Sequence, residues 1–540
     1  MKLHQIVPLI SMLFASIAGS AQTAPLSDTL HINTVKAGFQ SNGAFFKGGE
    51  NGMFLVPGAT NSNTSLSLIK SAGLWLAGKD PNGVIRLSAQ VENEGGKTDF
   101  YPGLINDSGA PDHNFNLIAG VTRAEIDAHI ANPFPPSAPM RAWPGLGNPY
   151  FFDFHGFEMP DNHPGGLASY YDKFFDGRYH PDEGDYPATG LRGCPQRFNV
   201  TASKWFVFND LGPHTQSGGA PLHQEIQTEI FAYDCTEGSA ANRMVYVIYK
   251  LINRDTVPLD SCYFGVYVDF EIGNGDDDFI GCNTTRRFVY AYNGDPVDEG
   301  GFEQTPPVVG IDLLRGPFNP DTGEEVSAWH FVPVDDSELN NPRNYFNLLR
   351  GKKANGSALP NNGLMYNGDP LVPSAWSELS AGNTPGDRKA VASFGPFTLL
   401  PGAVNELVLG YFWVRKNPNG SVTDNLGALV ENDKQVQSLF DNCFELWQGC
   451  PPNVPTNNVA SVAEPRVSPN PFQDQISVES PGNPMRSVLL FNALGQMVAE
   501  RETAASEAIQ LPTGKLPGGL YWLYVRLENG AIYSTKVLKQ

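Results

Sequence analysis

Three apolar runs, residues 244–252, 262–269 and 406–414, set the fold class of this chain. Each is rich in Val, Ile, Tyr and Phe, long enough for a strand in the middle of a sheet and short for a core helix. Residues 65–69 alternate at strand period, residues 73–78 form a compact apolar run bounded by glycines, and residues 204–208 begin another strand. The turn residues Asn253, Arg254 and Asp255 separate the first two long runs, so the order predicts that those two strands pair. Punctuation by 56 Gly and 44 Pro disfavours a coiled coil or a helical array, and 41% hydrophobic residues supply packed cores. One segment keeps a different period. Leu426, Leu429, Val430, Val436, Leu439 and Phe440 recur at helical spacing, which predicts one helix over 424–442, capped by Thr423 or Asp424, with its apolar face in the core. Residues 110–185, rich in Pro, Gly, His and aromatics without periodicity, read as ordered surface loops or an insertion. The expected fold is mainly β: a multi-sheet central region with one helix near its end, then a small C-terminal antiparallel β-sandwich.

The chain opens with Lys2, an apolar stretch from Ile6 to Ala18, and then Gly19, Ser20 and Ala21. A basic start, a short apolar core and a small-residue cleavage site describe a secretory signal peptide over 1–21, cut before Gln22. No later segment approaches the roughly 20 apolar residues that span a bilayer, so no transmembrane segment is expected in the mature chain. Six cysteines (194, 235, 262, 282, 443 and 450) fit an oxidising destination. Cys443 and Cys450 are close enough to close a small loop, and Cys262 and Cys282 flank an acidic segment that a bond between them would clamp; buried free thiols are the alternative.

Composition changes near Pro451. Residues 451–463 are polar and proline-rich, as in a linker, and residues 464–540 carry their own pattern of short strands: 475–479, 487–491, 496–498, 508–511, 520–525 and 531–539. Acidic and basic residues balance in this last stretch, so the net charge of −21 belongs to the chain that precedes it. The runs Val467-Ser468-Pro469-Asn470-Pro471-Phe472, Leu494-Gly495-Gln496, Leu516-Pro517-Gly518-Gly519-Leu520-Tyr521 and Lys536-Val537-Leu538-Lys539 resemble, in order and spacing, the type A C-terminal sorting domain of the type IX secretion system of Bacteroidota. The resemblance implies Sec export, handling by the type IX translocon and a sortase-like peptidase, and a product that is secreted or held at the outer-membrane cell surface on lipopolysaccharide. Ser468 stands where the family commonly has an aromatic residue. Residues 73–78, the acidic segment ending at Cys282, and residues 393–402 resemble large uncharacterised exported proteins of the same bacteria, a likeness that brings no activity with it.

A surplus of 57 acidic over 36 basic residues argues against a nucleic-acid partner held by phosphate attraction. The densest acidity is Asp269, Glu271, Asp276, Asp277 and Asp278. Such carboxylates repel unless solvated or neutralised. A structural Ca²⁺ would neutralise them, with Gly273 and Gly275 letting the backbone wrap the ion; a solvated acidic turn and, as the least favoured reading, catalytic carboxylates are the alternatives. No EF-hand pattern, Gly-x-Ser-x-Gly elbow or His-Glu-x-x-His is present. His223, Glu225 and Glu229 alternate on one strand face, where solvated side chains are the expectation over metal ligands. Trp143, Tyr150, Phe151, Phe152, Tyr170, Tyr171 and Tyr179 offer faces for stacking on sugars, although most aromatics in such a chain are core. Tyr-Asn-Gly-Asp-Pro occurs at 292–296 and at 366–370, read as two similar turns. Without a catalytic motif, the central region reads as a non-catalytic binding or adhesion module. A secreted hydrolase of polysaccharide or protein is the competing reading, and a cleft holding two carboxylates about 5–10 Å apart would favour it.

Overall fold

The computed structural model describes residues 24–540 except 50, 59–64, 92–95, 175, 195–196, 236–238, 417–421, 445–464, 493–496 and 529–531. The expected signal peptide over 1–21 and the expected linker over 451–463 lie outside the described residues.

Two large antiparallel sheets dominate the central region, beside a four-stranded sheet whose strands lie between residues 27 and 67 and several two-stranded ribbons. The larger has nine strands, with Gln224–Ala232, Met244–Asn253, Val404–Val414 and Val308–Arg315 side by side in its middle. The smaller has five, in the order Trp329–Pro333, Arg388–Leu399, Leu259–Phe270, Ile69–Lys79 and Ile85–Ala89. Their inner faces share one core, in which Leu74, Phe264 and Val266 from the smaller sheet meet Phe206, Val247 and Leu409 from the larger. The outer faces are covered as well. The Val422–Asp441 helix lays Leu426, Leu429, Val436, Leu439 and Phe440 against Phe231, Tyr246 and Phe412 of the larger sheet. The Pro342–Leu349 helix packs Tyr345, Phe346 and Leu349 on Trp75, Tyr263 and Tyr267 of the smaller one. Residues 104–188 cover the remaining outer face through Trp143, Phe151 and Tyr179. Burial on both faces explains why the long strands read as continuous apolar runs instead of alternating.

That double burial also corrects one pairing. Met244–Asn253 and Leu259–Phe270 do not form a hairpin; the first pairs with Gln224–Ala232 and Val404–Val414, the second with Ile69–Lys79 and Arg388–Leu399. The chain crosses from one sheet to the other at the expected turn, and an all-apolar strand carries no face signal to show it. The long helix stands where its period placed it, joined among the described residues by four shorter helices at Arg123–Ala131, Ala138–Ala142, Phe151–His155 and Pro342–Leu349. No described helix is long and apolar enough to cross a membrane.

The disulfide expectations are corrected too. Cys443 bonds Cys194, with Cα atoms 5.6 Å apart, and not Cys450. Cys235 is also disulfide-bonded, while Cys262 and Cys282 are buried free thiols in strands of different sheets. The acidic segment therefore has no covalent clamp between them.

The tail holds a three-stranded and a four-stranded antiparallel sheet with a core of its own, including Phe472, Ile476, Val488, Leu523 and Val537. Asn470, from the Pro-Asn-Pro opening, accepts a bond from the backbone N–H of Leu538 and donates to the carbonyl of Lys536, tying the first motif to the last strand.

Candidate functional site

The acidic segment is divided by the structure. Asp269 ends a central strand, fully buried, opposite Lys389 in register and 3.9 Å from its ammonium. Asp276 is exposed in a one-turn 3-10 helix, and Glu271 is half-buried beside Gly275. Asp277 and Asp278 face a different neighbourhood, which includes Asp298. Burial, reinforced by Asp298, Asp295 and Glu299, pushes the Asp277 carboxyl up to about 6 against a bond from Asn293. Asp278 is fully buried, accepts the Ile272 N–H at 3.0 Å, and is pushed well above the usual carboxylate range by burial and by Asp277, Asp298 and Glu271. Among the described residues, no three His, Cys, Asp or Glu side chains converge on an ion-sized site.

The His223, Glu225 and Glu229 trio is not the solvated face expected. Glu225 and Glu229 point into the layer beneath the 104–188 cover. Glu225 accepts the Ile105 N–H at 2.7 Å and lies 3.2 Å from His163. Glu229 accepts the Thr189 hydroxyl at 2.6 Å, and burial pushes it up to about 6. His223 precedes the strand in a left-handed conformation and faces Asp255 at 3.9 Å. The stacking candidates are largely core, since Trp143, Phe151 and Tyr179 are each about 1% exposed or less. Phe152 is the exposed one, at 51%.

A further opening lies elsewhere, at the edge of the smaller sheet. It is a cleft of about 660 Å³ whose walls include Tyr263, Trp329, His330, Arg350, Lys352 and Asn362. Local sequence builds it. Asn341 caps the Pro342–Leu349 helix by accepting from the N–H groups of Arg343 and Asn344, and Pro342 occupies the first helical position. Arg350 ends that helix, where a cation is favoured by the backbone dipole. Its guanidinium donates to Asn347 Oδ1 at 3.0 Å and lies 4.9 Å over the Phe346 ring. Gly351, at φ +69°, then turns the chain. A Cβ there would sit 2.4 Å from His330 Nδ1 and 2.7 Å from the Asn362 carbonyl oxygen.

His330 Nδ1 lies 2.8 Å from that same carbonyl, which can only accept, so Nδ1 carries the ring hydrogen and Nε2 is left with a lone pair. Burial holds the imidazole below its ordinary value against the pull of that bond, so the ring is neutral at pH 7. Tyr263 packs edge-on to Phe346 with centroids 5.8 Å apart, and its hydroxyl has no hydrogen-bond partner among the described residues. Gly395 and Pro396, from the 393–402 run, close the floor; a Cβ on Gly395 would meet the Tyr263 ring at 2.4 Å. Among the described residues, no carboxylate lines the cleft. Sequence reasoning missed its side chains because they come from six separated segments with no common spacing.

Residues 466–540 match the family described as the Secretion system C-terminal sorting domain. That domain marks the chain as a secreted or cell-surface protein of the type IX route. No curated protein matches. Among solved structures, a polysaccharide lyase aligns at 11% identity and a TM-score of 0.18, covering 58% of this chain and 34% of that one. The alignment thus spans about a third of the lyase.

Proposed function

We propose that the central region is a non-catalytic binding module, carried to the cell exterior by its sorting domain, and that its ligand docks in the cleft at the end of the Pro342–Leu349 helix. One observation carries this reading: the cleft offers aromatic walls and orienting polar groups but no carboxylate pair. Ligand sites are typically concave, largely apolar and furnished with a few placed polar groups, and Tyr263, Trp329, His330 and Asn362 fit that description. Glycoside hydrolysis ordinarily needs two carboxyl groups flanking the bond, which this cleft does not supply. The sorting domain hands the chain to the type IX translocon and a sortase-like peptidase, and the product is released or attached to surface lipopolysaccharide.

The test is a panel of soluble glycans and peptides offered to the purified protein, read both for retention and for turnover. Retention of at least one member without chemical change is expected, and Lys352→Ala should weaken it. Turnover of any member, or retention of none, overturns the reading.

A further inference from the structure

We infer that the cleft takes an anionic polysaccharide, with Arg350 and Lys352 as the groups that meet its carboxylates or sulfates; this rests on the binding reading above. Acidic residues outnumber basic ones 57 to 36 in this chain, yet the cleft presents two permanent cations and no acid. Several other arginines of the central region are matched to carboxylates, Arg315 to Glu406 at 2.8 Å, Arg388 to Glu378 at 2.8 Å and Arg286 to Asp433 at 2.9 Å, whereas Arg141 and Arg415, like Arg350, have no carboxylate partner among the described residues. Neither Arg350 nor Lys352 has a carboxylate partner among the described residues. Arg350 is also incompletely satisfied, since its Nε is buried with no acceptor while Nη2 is held by Asn347.

A guanidinium fixed at a helix end and stacked on Phe346 is already ordered, so an incoming anion need not immobilise it. The neutral His330 adds a third positive charge when protonated, so affinity should rise as pH falls below the ordinary histidine range. Trp329 and Tyr263 line the cleft although each is less than a tenth exposed, and with Pro396 they place apolar atoms beside the cations, which suits a sugar ring that bears an acid better than a free inorganic anion. Outside the cell, where the sorting domain places the chain, uronate and sulfated polysaccharides present that combination.

Isothermal titration of the full mature protein against polygalacturonate, dextran sulfate, uncharged dextran and poly-glutamate tests this. Binding to one or both charged polysaccharides is expected, weakened about tenfold or more by Arg350→Gln and by Lys352→Gln and unchanged by the surface control Lys434→Gln. Unaltered circular dichroism and melting temperature keep the Arg350 result interpretable, and Lys352, half-exposed, supplies the variant least able to disturb folding. Polygalacturonate against dextran sulfate separates carboxylate from sulfate recognition. Equal binding of uncharged dextran, or variants that bind as the parent does, overturns the anionic assignment and leaves the binding module standing. Preference for poly-glutamate overturns the saccharide assignment. Binding of no probe here, together with an empty glycan and peptide panel, removes both readings.

Discussion

Gly351 and His330 approach so closely that any side chain at 351 would collide with the imidazole, its Cβ falling 2.4 Å from Nδ1. The position also needs φ +69°, which non-glycine residues adopt at a cost. Gly351→Ala should therefore displace His330 from the Asn362 carbonyl and destabilise the protein by about 1–3 kcal/mol. A urea melt together with glycan retention checks it; an unchanged midpoint with full retention would count against the described cleft.

The disulfide between Cys194 and Cys443 closes a loop of 249 residues. Constraining so long a stretch of unfolded chain is worth about 2–5 kcal/mol. The paired variant Cys194→Ser with Cys443→Ser should lose that much in denaturant titration under non-reducing conditions. A loss below about 1 kcal/mol would show that the surrounding packing already holds these ends together.

Glu229 is buried, and its carboxyl is raised from an ordinary 4.5 to about 6. A raised carboxyl means that the folded state holds its proton more tightly than the unfolded state does. The contribution is therefore present in full below about pH 4.5, is lost as pH rises through about 6, and is flat above that. The stability difference between parent and Glu229→Gln, measured from pH 4 to 8, should change within that window only. A difference that does not vary with pH would contradict the buried placement of this side chain.

Leu429 on the Val422–Asp441 helix is 1% exposed in the core under the larger sheet. Leu429→Ala should cost about 2–5 kcal/mol. Thermal unfolding would show it, with the exposed Glu431→Ala as a control near zero.

Deleting residues 466–540 removes strands whose core is separate from the central clusters. The shortened protein should remain inside the outer envelope while keeping the melting transition of the central region. Cell fractionation and calorimetry check the two halves of that expectation independently.

Much of the scaffold was readable. The 244–252 and 406–414 runs became neighbouring central strands, the 426–440 period became the long helix, and the tail motifs marked an exported protein. Pairing was less readable, because Tyr246 and Val247 are buried on opposite faces of one strand and nothing in such a run says which sheet it joins. Disulfide partners were not readable at all: Cys194 and Cys443 meet only because the helix and the 191–200 segment share one outer face. The cleft stayed hidden for a related reason. Tyr263, His330 and Arg350 look like ordinary strand and helix residues until the sheet edge brings them together.

Cys443 sits two residues beyond the last helix of the central region. That bond is a covalent staple at the rear of the central region: fraying that enters from the tail side is halted there before it reaches the helix.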